Sequence, residues 1–148
     1  MTRLHLPLVP KPLRWLLVVS VASVVVYYSV FAPPGSGAME MGPLGLFPYS
    51  NWLHVTAYVG LAGAVVYALY APPRSSWYAV GGGFLVAFGY GVAIEFVQST
   101  LPARTFAVGD MGLNALGAGA AAIVWLGLFH VARFYRLSAI DDVEPVVQ

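Results

Sequence analysis

The chain reads as all-α: a polytopic membrane protein built as a four-transmembrane-helix bundle, and three observations predict it. Of 148 residues, 59% are hydrophobic and 9% are charged, a composition that belongs to integral membrane proteins. The apolar residues fall into four long runs. Each is near the roughly 20 residues that a helix rising about 1.5 Å per residue needs to cross a hydrocarbon core of about 30 Å. Clusters of proline, glycine and serine separate the runs, and within a bilayer a helix satisfies its own backbone groups.

The first run covers residues 13–31 and closes at Pro33-Pro34-Gly35-Ser36-Gly37. The second, residues 52–70, is followed by the short turn Pro72-Pro73-Arg74-Ser75-Ser76. The third, residues 77–98, stops before Pro102, and the fourth, residues 111–131, gives way to a polar segment that ends in Asp141-Asp142-Val143-Glu144-Pro145 and reads as disordered. One domain is expected: an N-terminal segment over 1–12, the transmembrane unit over 13–131 and a polar tail over 132–148. A basic start, an apolar stretch and the small residues Ser36-Gly37-Ala38 also fit a cleaved signal peptide. The apolar run exceeds the usual length of about 7–15 residues, which favours a retained span.

Positive charge stays on the cytoplasmic side of a membrane. With four spans, Arg3, Lys11, Arg14, Arg74, Arg133 and Arg136 fall on one side and Arg104 alone on the other, so both termini are expected in the cytoplasm of a multi-pass cell-membrane protein. Trp15, Trp52, Trp77, Tyr70 and Tyr135 stand near span ends, as interfacial aromatic belts do.

Composition excludes several classes of function. The net charge of +1 with scattered basic residues leaves no footprint for nucleic acid, and the absence of cysteine excludes disulfides and thiolate chemistry. No G-x-S-x-G elbow, H-E-x-x-H helix or P-loop occurs. His5, His54 and His130 fall in different places, so no metal site and no cofactor is expected. Polar side chains stop within one leaflet, which argues against a proton path across the membrane.

The informative polar residues gather around the third and fourth runs. Glu95 and Gln98 stand near the outer end of the third; Arg104 follows Pro102; Asp110 and Asn114 open the fourth. Spacings of three and four put Glu95 with Gln98, and Asp110 with Asn114, on single helix faces. His54 lies one turn into the second run with Tyr58 four residues deeper. A carboxylate at membrane depth is costly unless it is paired, so Arg104 is the expected partner of Glu95. Structural readings stand beside this one: Asp110 as a helix cap, Gln98, Asn114 and His54 as interhelical hydrogen-bond groups, and a Glu95–Arg104 pair that only fixes packing. The small residues Ala115-x-x-x-Gly119 are expected to press the fourth helix against a neighbour within the bundle, with a homodimer seam as the rival reading.

Taken together, Glu95-x-x-Gln98, a loop with Pro102 and Arg104, and Asp110-x-x-x-Asn114-x-x-Gly117 resemble the VanZ-like family over roughly residues 52–131. A second family signature is kept at His54 and Tyr58, whereas Ser50 and Asn51 occupy the places of an Asp-Lys pair and Val55 that of a phenylalanine. The family is named for a protein associated with resistance to the glycopeptide teicoplanin. The residues themselves support three readings. In the first, a binding protein receives the head group of a membrane lipid or lipopeptide amphiphile through Arg104, Gln98, Asn114 and Tyr58. In the second, an intramembrane enzyme uses Glu95 as general base, with His54 or Asp110 as acid. In the third, a non-catalytic membrane scaffold subunit uses its polar groups for packing alone.

Overall fold

A computed structural model of the chain describes residues 4–31, 40–72, 75–102, 104 and 106–136. The residues 36–38 of the candidate cleavage site, Arg3, Arg74, the side chain of Arg136 and the acidic tail beyond residue 136 lie outside the described residues.

Four helices among the described residues are long and apolar enough to cross a membrane. Helix α1 spans Lys11–Val26, starts with proline in its first turn and continues through a π-helical turn, Tyr27–Phe31. Helix α2 spans Tyr49–Leu69, α3 Ser76–Ser99 and α4 Val108–Val131. The Ser75 hydroxyl caps α3 by accepting from the backbone N–H of Trp77 at 3.2 Å, which satisfies one of the orphan donors of the first turn. Both α2 and α4 begin three residues earlier than the apolar runs indicate, because their first turns are polar or small and only the fold shows them helical. Asp110 consequently sits inside the first turn of α4 rather than before it, and Ala107 occupies the cap position with no side-chain hydrogen bond. The capping role expected for Asp110 is thus not its role here.

Helix α2 is central, packing against α1, α3 and α4, while α3 packs on α4 and also meets the π turn that ends α1. Tyr58, Leu61, Ala62 and Val65 of α2 form the core with Ala87 and Ile94 of α3 and Ala118 and Ala121 of α4. Close approach of α2 and α4 depends on Gly117: a Cβ there would collide with the backbone oxygen of Val55 and lie 3.0 Å from Cβ of Tyr58. The expected Ala115-x-x-x-Gly119 contact is not made within the bundle, since a Cβ on Gly119 meets nothing within 4 Å. The helix is rotated so that Asn114, Gly117, Ala118 and Ala121 face inward instead.

Strand β1, Leu4–Leu8, pairs in parallel with β2, Ala132–Arg136, at the end of the bundle where α1 begins and α4 finishes. The first residues of the polar C-terminal segment are therefore a strand. Tyr67 locks this end: its hydroxyl donates to the Pro7 carbonyl at 2.8 Å and accepts from the Val9 N–H at 3.1 Å. Arg14 is buried beside it, and its Nη1 donates to the Tyr67 and Tyr70 carbonyls at 2.9 and 2.6 Å, satisfying acceptors that the last turn of α2 leaves free. Tyr70 packs against Phe129 and Phe134 with ring centroids 4.5 and 5.0 Å apart, inside an aromatic cluster that also holds Trp125.

Candidate functional site

The opposite end of the bundle collects the polar residues. The first turns of α2 and α4 and the last turns of α3 lie together there because successive helices run in opposite directions. Glu95 is 1% exposed. Its Oε2 accepts from the backbone N–H of Ala107 at 3.1 Å, so the connection between α3 and α4 folds back onto the carboxyl group. Its Oε1 is buried and has no hydrogen-bond partner among the described residues. Trp52 Nε1 and Arg14 Nε share that condition among the described residues, but neither is a carboxylate.

His54 bridges α2 to α4. Its Nδ1 is 3.0 Å from Oδ1 of Asn114, and its Nε2 is 3.5 Å from Oδ2 of Asp110. The first distance is a hydrogen bond; the second is a longer polar contact, an ion pair when the imidazole is protonated. With both ring nitrogens facing oxygens, the imidazole is held in one orientation across the α2–α4 seam. Asn114, also 1% exposed, lies at the bottom of this arrangement beside the buried Tyr58. The side chains of Tyr58 and Asn114 meet over Gly91 of α3, where a Cβ would stand 2.7 Å from Asn114 Nδ2 and 3.0 Å from the Tyr58 hydroxyl.

Arg104 and Gln98 depart from the pattern that spacing alone indicates. Arg104 is half-buried in the α3–α4 connection, its backbone N–H bonded to the Leu101 carbonyl at 3.2 Å. It makes no ion pair with Glu95 or any other carboxylate within 4.0 Å among the described residues. Glu95 takes the Ala107 amide instead of the expected guanidinium, because the loop brings backbone rather than side chain to the carboxyl group. Gln98 is buried, yet its Nε2 donates to the Ser29 carbonyl at 2.8 Å, in the π turn of α1. It therefore pins α1 to α3 rather than joining the His54 group. Glu95, His54, Asp110, Asn114 and Tyr58 thus come from three helices to one end of the bundle, while Gln98 turns away and Arg104, in the α3–α4 connection, has no carboxylate within 4.0 Å among the described residues.

Three contributors carry no polar side chain by which sequence singles them out. Gly91 enters the site by having no side chain, and its position one turn before Glu95 on the same face was the available signal. The Ala107 N–H and the Ser29 carbonyl are backbone groups and carry no residue-type signal. No group of three histidine or acidic side chains among the described residues is arranged to hold a metal.

A protein-family model described as VanZ/LLP1 matches residues 11–133, which takes in α1 as well as the three helices that carry the motif. Neither the curated proteins nor the solved structures compared with the chain give a match.

Proposed function

The chain belongs to the VanZ/LLP1 family, and from that premise we propose that it recognises, on the outer side of a cell membrane, the polar head group of a lipid or lipopeptide. Its four apolar helices make it a multi-pass membrane protein. One observation carries the proposal: Glu95 is buried, and one of its two carboxyl oxygens has no hydrogen-bond partner among the described residues. Burying polar atoms without a hydrogen bond costs about 1–3 kcal/mol, and more for a charged group. A bound molecule that completes the set supplies the reason to keep the residue. Arg104, with no carboxylate within 4.0 Å among the described residues, is the cation we assign to a phosphate or carboxylate on the same molecule. The apolar helix surfaces beside the site suit the acyl or isoprenoid part.

A second reading, an intramembrane acid–base enzyme acting on the same kind of lipid, is favoured by the Asp110–His54 contact. A carboxylate beside an imidazole is an arrangement suited to proton transfer. Replacing Glu95 with Gln keeps the shape and removes the charge. In a lipid-binding assay on purified protein, Glu95→Gln retains measurable affinity if the protein is a binder, and in a turnover assay it is inactive if the protein is an enzyme. Arg104→Ala weakens lipid binding about tenfold in either case, the loss expected for one charge-assisted contact. If both variants bind lipid normally and only melt at lower temperature, the polar groups serve packing and the proposal fails.

A further inference from the structure

Between Glu40 and Tyr49 the α1–α2 connection has no polar side chain. It nevertheless stands outside the core: Leu44 is 83% exposed, Leu46 60% and Phe47 51%. An exposed apolar cluster of this kind marks contact with a membrane or a partner. Three features set the segment apart from an ordinary surface loop. Its backbone bonds to itself: the Gly42 and Gly45 N–H groups donate to the Phe47 and Gly42 carbonyls at 2.8 and 3.1 Å, and the Tyr49 N–H donates to the Glu40 carbonyl at 2.8 Å. Such closure lets an irregular turn approach hydrocarbon, where little water is at hand to satisfy free groups. The segment also lies down along the bundle. Phe47 packs edge-on to Trp52 in the first turn of α2, and a Cβ on Gly42 would stand 2.5 Å from Cδ1 of the same indole. Leu44, finally, holds a left-handed conformation with φ of 65°, which glycine or asparagine adopts at lower cost. A leucine kept at that position points to a use for its side chain.

We infer that the tip of this connection, Leu44 and Leu46, is seated in the lipid leaflet at the site's end of the bundle, at the boundary between head groups and acyl chains. Lipid is the occupant because the segment joins two membrane spans, one closing at Phe31 and the next opening at Tyr49, and rests against the start of the second. Apolar side chains carried on a short element beside polar head groups bind there through the area they remove from water. Met41, next to the acidic Glu40, stays at the aqueous edge. The tip would thus hold lipid beside the first turns of α2, the helix that carries His54.

Because the chain contains no cysteine, a single nitroxide can be placed on Leu44→Cys, Leu46→Cys or Met41→Cys in the full chain, reconstituted in vesicles of phosphatidylethanolamine and phosphatidylglycerol. Power-saturation EPR compares collisions with oxygen, which partitions into lipid, and with a water-soluble nickel chelate. Labels at the two tip positions are expected to favour oxygen several-fold over the chelate, and the label replacing Met41 to show the reverse. Either tip label suffices if the other variant does not fold. Leu44→Glu, added to the chain labelled at Leu46→Cys, is expected to raise chelate access several-fold, since a carboxylate is costly in lipid. Chelate access at the tip equal to that at the Met41 position puts the tip in water and overturns the inference. Low access to both reagents at the tip means that protein covers it, which overturns the inference as well.

Discussion

Glu95 is the residue whose surroundings stability does not account for. A charged side chain at the centre of a membrane helix costs about 2.5–3.5 kcal/mol on insertion scales, and the hydrogen bond it accepts from the Ala107 amide offsets only part of that cost near the membrane edge. Interhelical hydrogen bonds in bilayers average about 0.6 kcal/mol, so the Asn114–His54 bond adds little more to the fold. This comparison gives a prediction that separates the two roles. Asn114→Ala should lower stability by no more than about 1 kcal/mol in detergent unfolding, while weakening lipid binding about tenfold in a titration, because it frees the His54 ring and removes a hydrogen-bonding group from the site. A large loss of stability with intact binding would place Asn114 in the scaffold. The identities of these residues were legible from sequence, since each is a polar exception in an apolar run. Their partners were not. A spacing of three puts Glu95 and Gln98 on one helix face, yet one meets the α4 side and the other α1, because a face about 60° wide spans two neighbours.

At the scale of elements, the helices follow directly from composition, but their rotations do not. Helix α4 carries Gly109, Gly112, Gly117, Gly119 and Gly127, and only Gly117 approaches backbone closely enough that a side chain would collide. Gly117→Ala is expected to destabilise the bundle by about 1–3 kcal/mol, as overpacking of a close-packed core does. Gly119→Ala, with open space around it, should leave the melting temperature unchanged or slightly higher. Thermal unfolding of the two variants side by side checks the rotation of α4, and equal losses would contradict it. Helix α1 illustrates the same point from its partners. Its span buries less than those of the other three helices, and side chains bonded to backbone carbonyls tie it along its length: Arg14 to the end of α2, Tyr90 to Ala22 at 2.7 Å, and Gln98 to Ser29. None of those acceptors is visible in a hydropathy profile, and the π turn that offers the Ser29 carbonyl has no residue-type signature.

The whole molecule separates its chemistry by end. One end is a packed cap of the β1–β2 pair, Arg14 and the aromatic cluster; the other holds the carboxylates, His54 and Arg104. An even number of spans puts the two strands on the same side, and their pairing joins the segments that flank α1 and α4. The proposed orientation, with the strand end in the cytoplasm, has a direct test because the chain contains no cysteine. In intact cells Met41→Cys, exposed next to the start of α2, should react with a membrane-impermeant maleimide, and Leu4→Cys should react only after permeabilisation. The reverse pattern would turn the site toward the cytoplasm and remove external lipids as its ligands.

Sequence by itself determined the number and approximate extent of the spans, the polar residues that matter and the resemblance to the VanZ-like family, because each depends on residue type and local spacing. Hydrophobic length fixes what crosses a bilayer, and the expense of polarity inside one makes every exception conspicuous. Tertiary structure alone decided that Glu95 binds a backbone amide instead of Arg104, that Gly117 rather than Gly119 is the contact point, and that Tyr58 and Asn114 pack directly onto Gly91. Those outcomes turn on helix rotation and loop path, which are set by how side chains from distant segments pack, and no local pattern in the chain encodes them.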